Sequence, residues 1–203
     1  WSTEDTVQYA LEGVIVTCGA TIEWLKNEIG LISDSNQTEA MATSVEDNAG
    51  VYLTPAFSGL GAPHWDMSRK ASIVGLTFSA NKNHIVRAAL ESIPYQIKDV
   101  ITAMEEDTRI ELKELAVDGG ISSNQFVIQF LADLLEKPVV TIGVTDVSAL
   151  GAAFLAGLQQ KIYKDLDHLK QLRNENKQVM PMGRDKIKSW YSQWQQIINT
   201  KTN

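Results

Sequence analysis

Val117-Asp118-Gly119-Gly120-Ile121-Ser122-Ser123-Asn124 joins an apolar strand to a helix start through two adjacent glycines. Leu115-Ala116-Val117 reads as the end of the strand, and Gly119 and Gly120 lack the Cβ that holds a ligand off the main chain. Ser122 or Ser123 can cap the helix that follows, which leaves free N–H groups and the positive end of a helix dipole beside the gap. Asn124 adds an amide that both donates and accepts. Standing alone, the octet is equally well a plain tight turn. Its surroundings favour a ligand site.

Downstream, the helix runs from Ser123 to Leu135, and Pro138-Val139-Val140-Thr141-Ile142 is the next strand. A helix from Asp146 to Leu158 follows, dense in Ser148, Ala149, Gly151, Ala152, Ala153, Ala156 and Gly157, a composition that predicts tight helix-on-sheet packing. Gly143 and Thr145 occupy the loop between them. Two further helices, Asp165 to Arg173 and Asp185 to Ile198, flank a Met-Pro-Met-Gly turn as a C-terminal appendage. Trp190 and Trp194 share a face of the last helix, and core packing explains them better than a stacking platform.

Upstream, Val7 to Val16 is rich in β-formers, with Gly13 as a bulge. Gly19 to Ile29 switches to helical spacing, with Ile22, Leu25 and Ile29 on one face and Gly30 closing the helix. Ser33 to Gly50 is a polar connector with a short helix at Glu39 to Val45. Val51 to Ala56 reads as a strand that ends, or lies at an edge, at Pro55, and Ser72 to Thr77 as its successor. The longest element spans Asn81 to Glu106, where Val86, Leu90, Ile93, Ile97, Val100 and Met104 form one stripe and Pro94 predicts a kink. Glu91 and Gln96 lie on that helix, and a solvated or domain-facing position is the expectation for both.

Strands that can pair antiparallel therefore precede a βαβ-like half, which predicts an α/β fold with a mixed sheet flanked by helices. In such sheets ligands sit beyond the carboxyl ends of the parallel strands, where the glycine turns fall. One domain is expected in 203 residues.

Lys and Arg number 18 against 25 Asp and Glu, a net charge of -7, and the basic residues are scattered. That balance argues against nucleic acid or an anionic membrane and for a small soluble ligand. A single cysteine, Cys18, excludes an internal disulfide, and with three histidines it leaves no zinc-type cluster. No run reaches the ~18 apolar residues of a membrane span. A cytoplasmic protein is expected, and the opening Trp1 reads as the start of a piece of a longer chain.

Three segments carry a resemblance: Ala56 to Asp66 (Ala-Phe-Ser-Gly-Leu-Gly-Ala-Pro-His-Trp-Asp), the Asp-Gly-Gly turn through Asn124, and Ser148 to Ala153. Gly13 to Leu25 and Asn83 to Gln96 add to it. From about Tyr9 to Gly157 the chain resembles the C-terminal domain of the FGGY family of carbohydrate kinases. The Gly-Leu-Gly-Ala-Pro-x-Trp-Asp segment favours the members that act on glycerol over those that act on sugars.

The resemblance implies a ribonuclease H-like, actin/Hsp70-like ATPase fold, with residues 1–163 as the nucleotide-binding domain and 164–203 as its helical tail. It implies contacts to the adenosine part of ATP from Gly19, Glu23, Gly119, Gly120 and Asn124, with Mg2+ arriving on the nucleotide. Glutamine is the family's residue where this chain has Glu23, and tyrosine is common where it has His64. The catalytic aspartate, the polyol contacts and a phosphate-binding hairpin belong to sequence outside this chain, so no catalytic residue and no metal ligand is expected here. Alone, the chain should phosphorylate nothing. The whole protein would transfer a phosphoryl group from ATP to glycerol as a homo-oligomer. Two alternatives stay open: a kinase for another polyol or a ketose, and an actin- or Hsp70-like nucleotide switch that is not a kinase.

Overall fold

The computed structural model describes residue 7 and residues 9–141, 146–172 and 177–200. The chain forms two compact units, Trp1–Leu112 with Lys188–Asn203, and Lys113–Ile187.

The first unit is built on α3 (Lys82–Thr108), preceded by α1 (Gly19–Asn27), α2 (Gln37–Thr43), β1 (Tyr52–Thr54) and β2 (Ser72–Val74). Asn81 starts α3: its side chain accepts from the N–H of Asn83 at 2.9 Å while its own N–H donates to His84 Nδ1 at 3.1 Å. The expected stripe forms the core, since Val86, Leu90, Ile93 and Val100 are buried. Pro94 is buried inside α3, which continues past it to Thr108. β1 is buried along its length and stops before Pro55, which has no N–H to give the ladder. It pairs antiparallel with β2, Leu53 opposite Ile73. From α7 (Lys186–Asn199), the fully buried Trp194 donates its indole N–H to the Leu53 carbonyl at 3.0 Å, so the packing role read for it holds.

The second unit carries β3 (Leu115–Val117), α4 (Gln125–Leu135), β4 (Val139–Thr141), α5 (Val147–Gln159), α6 (Leu166–Gln171) and β5 (Lys177–Val179). β3 and β4 are parallel and β5 joins β4 antiparallel, giving the mixed sheet. α4 crosses between the parallel strands and buries Phe126, Val127, Ile128, Phe130, Leu131, Leu134 and Leu135.

Several expectations are corrected. Residues 9–16 form no strand, and Tyr9, Leu11, Val14 and Val16 are exposed: β-propensity describes a surface ready to pair, and a strand needs its neighbour. Ile29 lies beyond the end of α1 and is exposed, so it does not share the buried face of Ile22 and Leu25. Glu91 is fully buried and Gln96 half-buried, because partners brought from distant sequence satisfy them. In α5 the small residues Ser148, Ala149, Ala152, Ala153 and Ala156 are exposed, and the buried one is Gly157, against the Tyr163 ring. β5 had no counterpart among the expected strands; Lys177-Gln178-Val179 has no apolar alternation to announce it. Ile142, Gly143 and Thr145 lie outside the described residues.

Candidate functional site

The turn after β3 depends on Gly119. Its φ of 78° with ψ of -178° belongs to a region that only glycine adopts without strain. A single 3-10 turn, Gly120–Ser123, then leads into α4. Neither serine caps that helix. Ser122 Oγ donates to the Gly119 carbonyl at 2.7 Å and Ser123 Oγ to the Gly120 carbonyl at 2.8 Å, which locks the turn on itself. The cap is Asn124, whose Oδ1 accepts from the N–H of Val127 at 3.1 Å. Asn124 thus stands before the first turn of α4.

The main chain here is bare. Gly119 and Gly120 are exposed, and a Cβ built on either meets no atom within 4 Å. Gly119 is needed for its φ, while Gly120 has an ordinary backbone and open space beside it. Open space beside Gly120 leaves its backbone accessible to an approaching ligand.

In the first unit, α1 presents Gly19, Ala20 and Glu23 outward and buries Thr21, Ile22 and Leu25. Its entry is pinned from two sides: Thr17 Oγ1 donates to the Pro55 carbonyl at 2.6 Å, and Gln96 Nε2 donates to the Thr17 carbonyl at 3.2 Å. A Cβ at Gly19 also meets nothing within 4 Å. Glu23, one turn on, accepts from Asn27 Nδ2 at 3.0 Å. Beside Gly19, burial pushes the half-buried Cys18 thiol up, against the opposing effect of a hydrogen bond from the Gly19 backbone. Gly19 and Glu23 therefore belong to one unit and Gly119, Gly120 and Asn124 to the other.

Other polar groups serve the core. Arg87 Nε meets Glu91 Oε1 at 2.7 Å, Asn48 Nδ2 donates to Glu91 Oε2 at 3.0 Å, and Arg87 Nη1 reaches the Val45 carbonyl at 2.7 Å. Burial raises the Glu91 carboxyl above the usual range, although Arg87, Asn48 and Tyr95 oppose it. His64 Nε2 lies 2.7 Å from Asp99 Oδ2, and Tyr191 and Gln195 donate to Asp99 Oδ1. That contact gives His64 an anchoring role that its sequence context did not reveal, since its partner lies on α3. A cavity of about 260 Å³ lined by Trp24, Leu53, Phe57, Ala71, Ser72 and Ile73 offers ring surface and little polarity. Among the described residues no group of three or more His, Cys, Asp or Glu could hold a metal ion, and no helix is long and apolar enough to cross a membrane.

Known proteins resemble this chain along most of its length. A protein-family model described as "FGGY family of carbohydrate kinases, C-terminal domain" matches residues 2–159. A glycerol kinase of Fusobacterium nucleatum is 49% identical over 193 residues, covering 95% of this chain and 39% of the relative. One of Shewanella woodyi is 46% identical over 198 residues, covering 97% of this chain and 40% of its own length. Among solved structures, Plasmodium falciparum glycerol kinase with ADP superposes with a TM-score of 0.83 at 35% identity, over 91% of this chain and 37% of that one. A ligand-bound xylulose kinase from Lactobacillus acidophilus, at 24% identity and a TM-score of 0.75 over 89% of this chain and 37% of that one, shares the fold. The chain thus spans about two fifths of the length of the curated relatives it matches.

Proposed function

The chain belongs to the FGGY family of carbohydrate kinases, whose C-terminal domain it carries, and from that premise we propose that it is the nucleotide-holding part of a glycerol kinase. Its α/β architecture, with a mixed sheet and flanking helices, is the actin/Hsp70-like ATPase fold. In this reading residues 1–163 form the nucleotide-binding domain and 164–203 its tail.

The observation that carries the nucleotide half is the unobstructed main chain at Gly119 and Gly120, beyond the carboxyl end of β3. The adenosine part of ATP would lie against that backbone, with the Asn124 amide at the helix start beside it. Gly19 and Glu23 would make a second, separate set of contacts. Each set combines glycine, which admits a flat ring or sugar to the backbone, with one polar side chain that fixes orientation.

Mg2+ would enter with the nucleotide, held mainly by phosphate oxygens and water, and would neutralise charge on the transferred phosphoryl group. The whole protein would pass the γ-phosphoryl of ATP to a terminal hydroxyl of glycerol, with the base and the polyol contacts supplied by sequence beyond this chain. The proposal extends to a cytoplasmic homo-oligomer whose small-molecule partners are ATP, ADP and glycerol.

Glycerol as acceptor rests on the 49% identity to a glycerol kinase. Phosphorylation assays of the full-length protein against glycerol, other polyols and ketoses test it. Glycerol should give the highest kcat/KM, and preference for a ketose would reassign the acceptor. Hydrolysis of ATP without stimulation by any acceptor would favour the nucleotide switch instead.

A further inference from the structure

Asp118-Gly119 is the one place in the chain where an aspartate or asparagine precedes a glycine. Both residues are exposed, and among the described residues the Asp118 carboxylate takes part in no hydrogen bond or ion pair. The serine hydroxyls that close the turn bond to the carbonyls of Gly119 and Gly120, and neither engages the Gly119 N–H. Other aspartates in loops are held: Asp34, Asp47 and Asp66 each accept from a backbone N–H two residues on, at 2.9 Å from Asn36, 2.9 Å from Ala49 and 3.0 Å from Ser68. Glycine also has no side chain to shield its nitrogen, and even a Cβ built at Gly119 would meet no atom within 4 Å. A free carboxyl group next to an unshielded amide nitrogen is the pairing that closes to a cyclic imide.

We propose that Asp118-Gly119 is a site of spontaneous covalent modification, at which the folded protein converts Asp118 to isoaspartate. The Gly119 nitrogen attacks Asp118 Cγ, so that an N–Cγ bond forms and a Cγ–O bond breaks. The oxygen leaves as water, taking the amide proton and the proton of the carboxylic acid. Water then opens the five-membered imide at either carbonyl. Opening at Cγ restores aspartate, whereas opening at the main-chain carbon leaves the chain running through Cβ as isoaspartate. No oxidant, enzyme or other co-reactant takes part. Each conversion inserts a methylene into the main chain directly ahead of the Gly119 and Gly120 backbone. The inference concerns the chemistry of the turn and stands whether or not a nucleotide binds there.

Ageing of the full-length protein in water enriched in heavy oxygen, at physiological temperature and near-neutral pH, tests the inference, because hydrolysis of the imide writes a heavy oxygen into the residue. Peptide mapping by mass spectrometry, with isoaspartate located by fragmentation, reads the outcome. Label and isoaspartate should accumulate at Asp118 ahead of Asp34, Asp47 and Asp66. The rate in the native protein should be comparable to that of the same protein unfolded in urea, since the turn leaves both reacting groups free. Asp118→Glu, which would have to close a larger ring, should remove the signal at this position and leave the other aspartates as they were. Label that appears at Asp118 only after unfolding, or no more of it there than at Asp34, would overturn the proposal. A signal that survives Asp118→Glu would do the same.

Discussion

The Arg87–Glu91–Asn48 cluster and the Gly119–Asn124 turn are both polar, and they dispose of their polarity in opposite ways. In the cluster, charge and amide are spent on one another and on the Val45 carbonyl, and Glu91 has no exposed surface. In the turn, the hydroxyls of Ser122 and Ser123 close back on the two glycine carbonyls, and the backbone they stiffen stays open to solvent. A buried group whose bonds are complete holds a fold together. An exposed, rigid, unobstructed backbone is available to something else.

Breaking the cluster should give the largest effect on stability. Glu91→Ala strands the Arg87 guanidinium, which is itself almost fully buried, and removal of one partner from such a pair costs about 3–5 kcal/mol. Urea unfolding of the chain measures this. A loss below about 1 kcal/mol, the scale of exposed pairs, would mean that the cluster is no more structural than a surface ion pair.

A smaller effect separates the two glycines. Gly119→Ala forces a Cβ into a backbone conformation that costs of order 1–3 kcal/mol for other residues, and the same unfolding experiment should detect it. Equal tolerance at Gly119 and Gly120 would erase the distinction between a glycine kept for φ and one kept for space.

The sequence carried the turn and the βαβ half well, because strand, glycine pair and amphipathic helix follow one another within some thirty residues and each has a local signature. What it left hidden depends on distant partners. Glu91 looked like a solvated helix residue because Asn48 lies 43 positions away. His64 had no visible role because Asp99 is on another element. Residues 9–16 have the composition of a strand and no described neighbour to pair with in the ladder, so composition alone misled there. At the turn itself, the serines and Asn124 are all good caps, and choosing Asn124 required knowing that a 3-10 turn delays the start of α4.

The smallest effect on stability and the most direct test both belong to Gly120. Gly120→Val should unfold close to the wild type, since its Cβ meets nothing within 4 Å and its φ is ordinary. Titrated with ATP in the full-length protein, it should bind roughly tenfold or more weakly, because the valine fills the space that the adenosine is proposed to occupy. Wild-type affinity for ATP in a stably folded Gly120→Val protein would contradict the assignment of this turn as the nucleotide site.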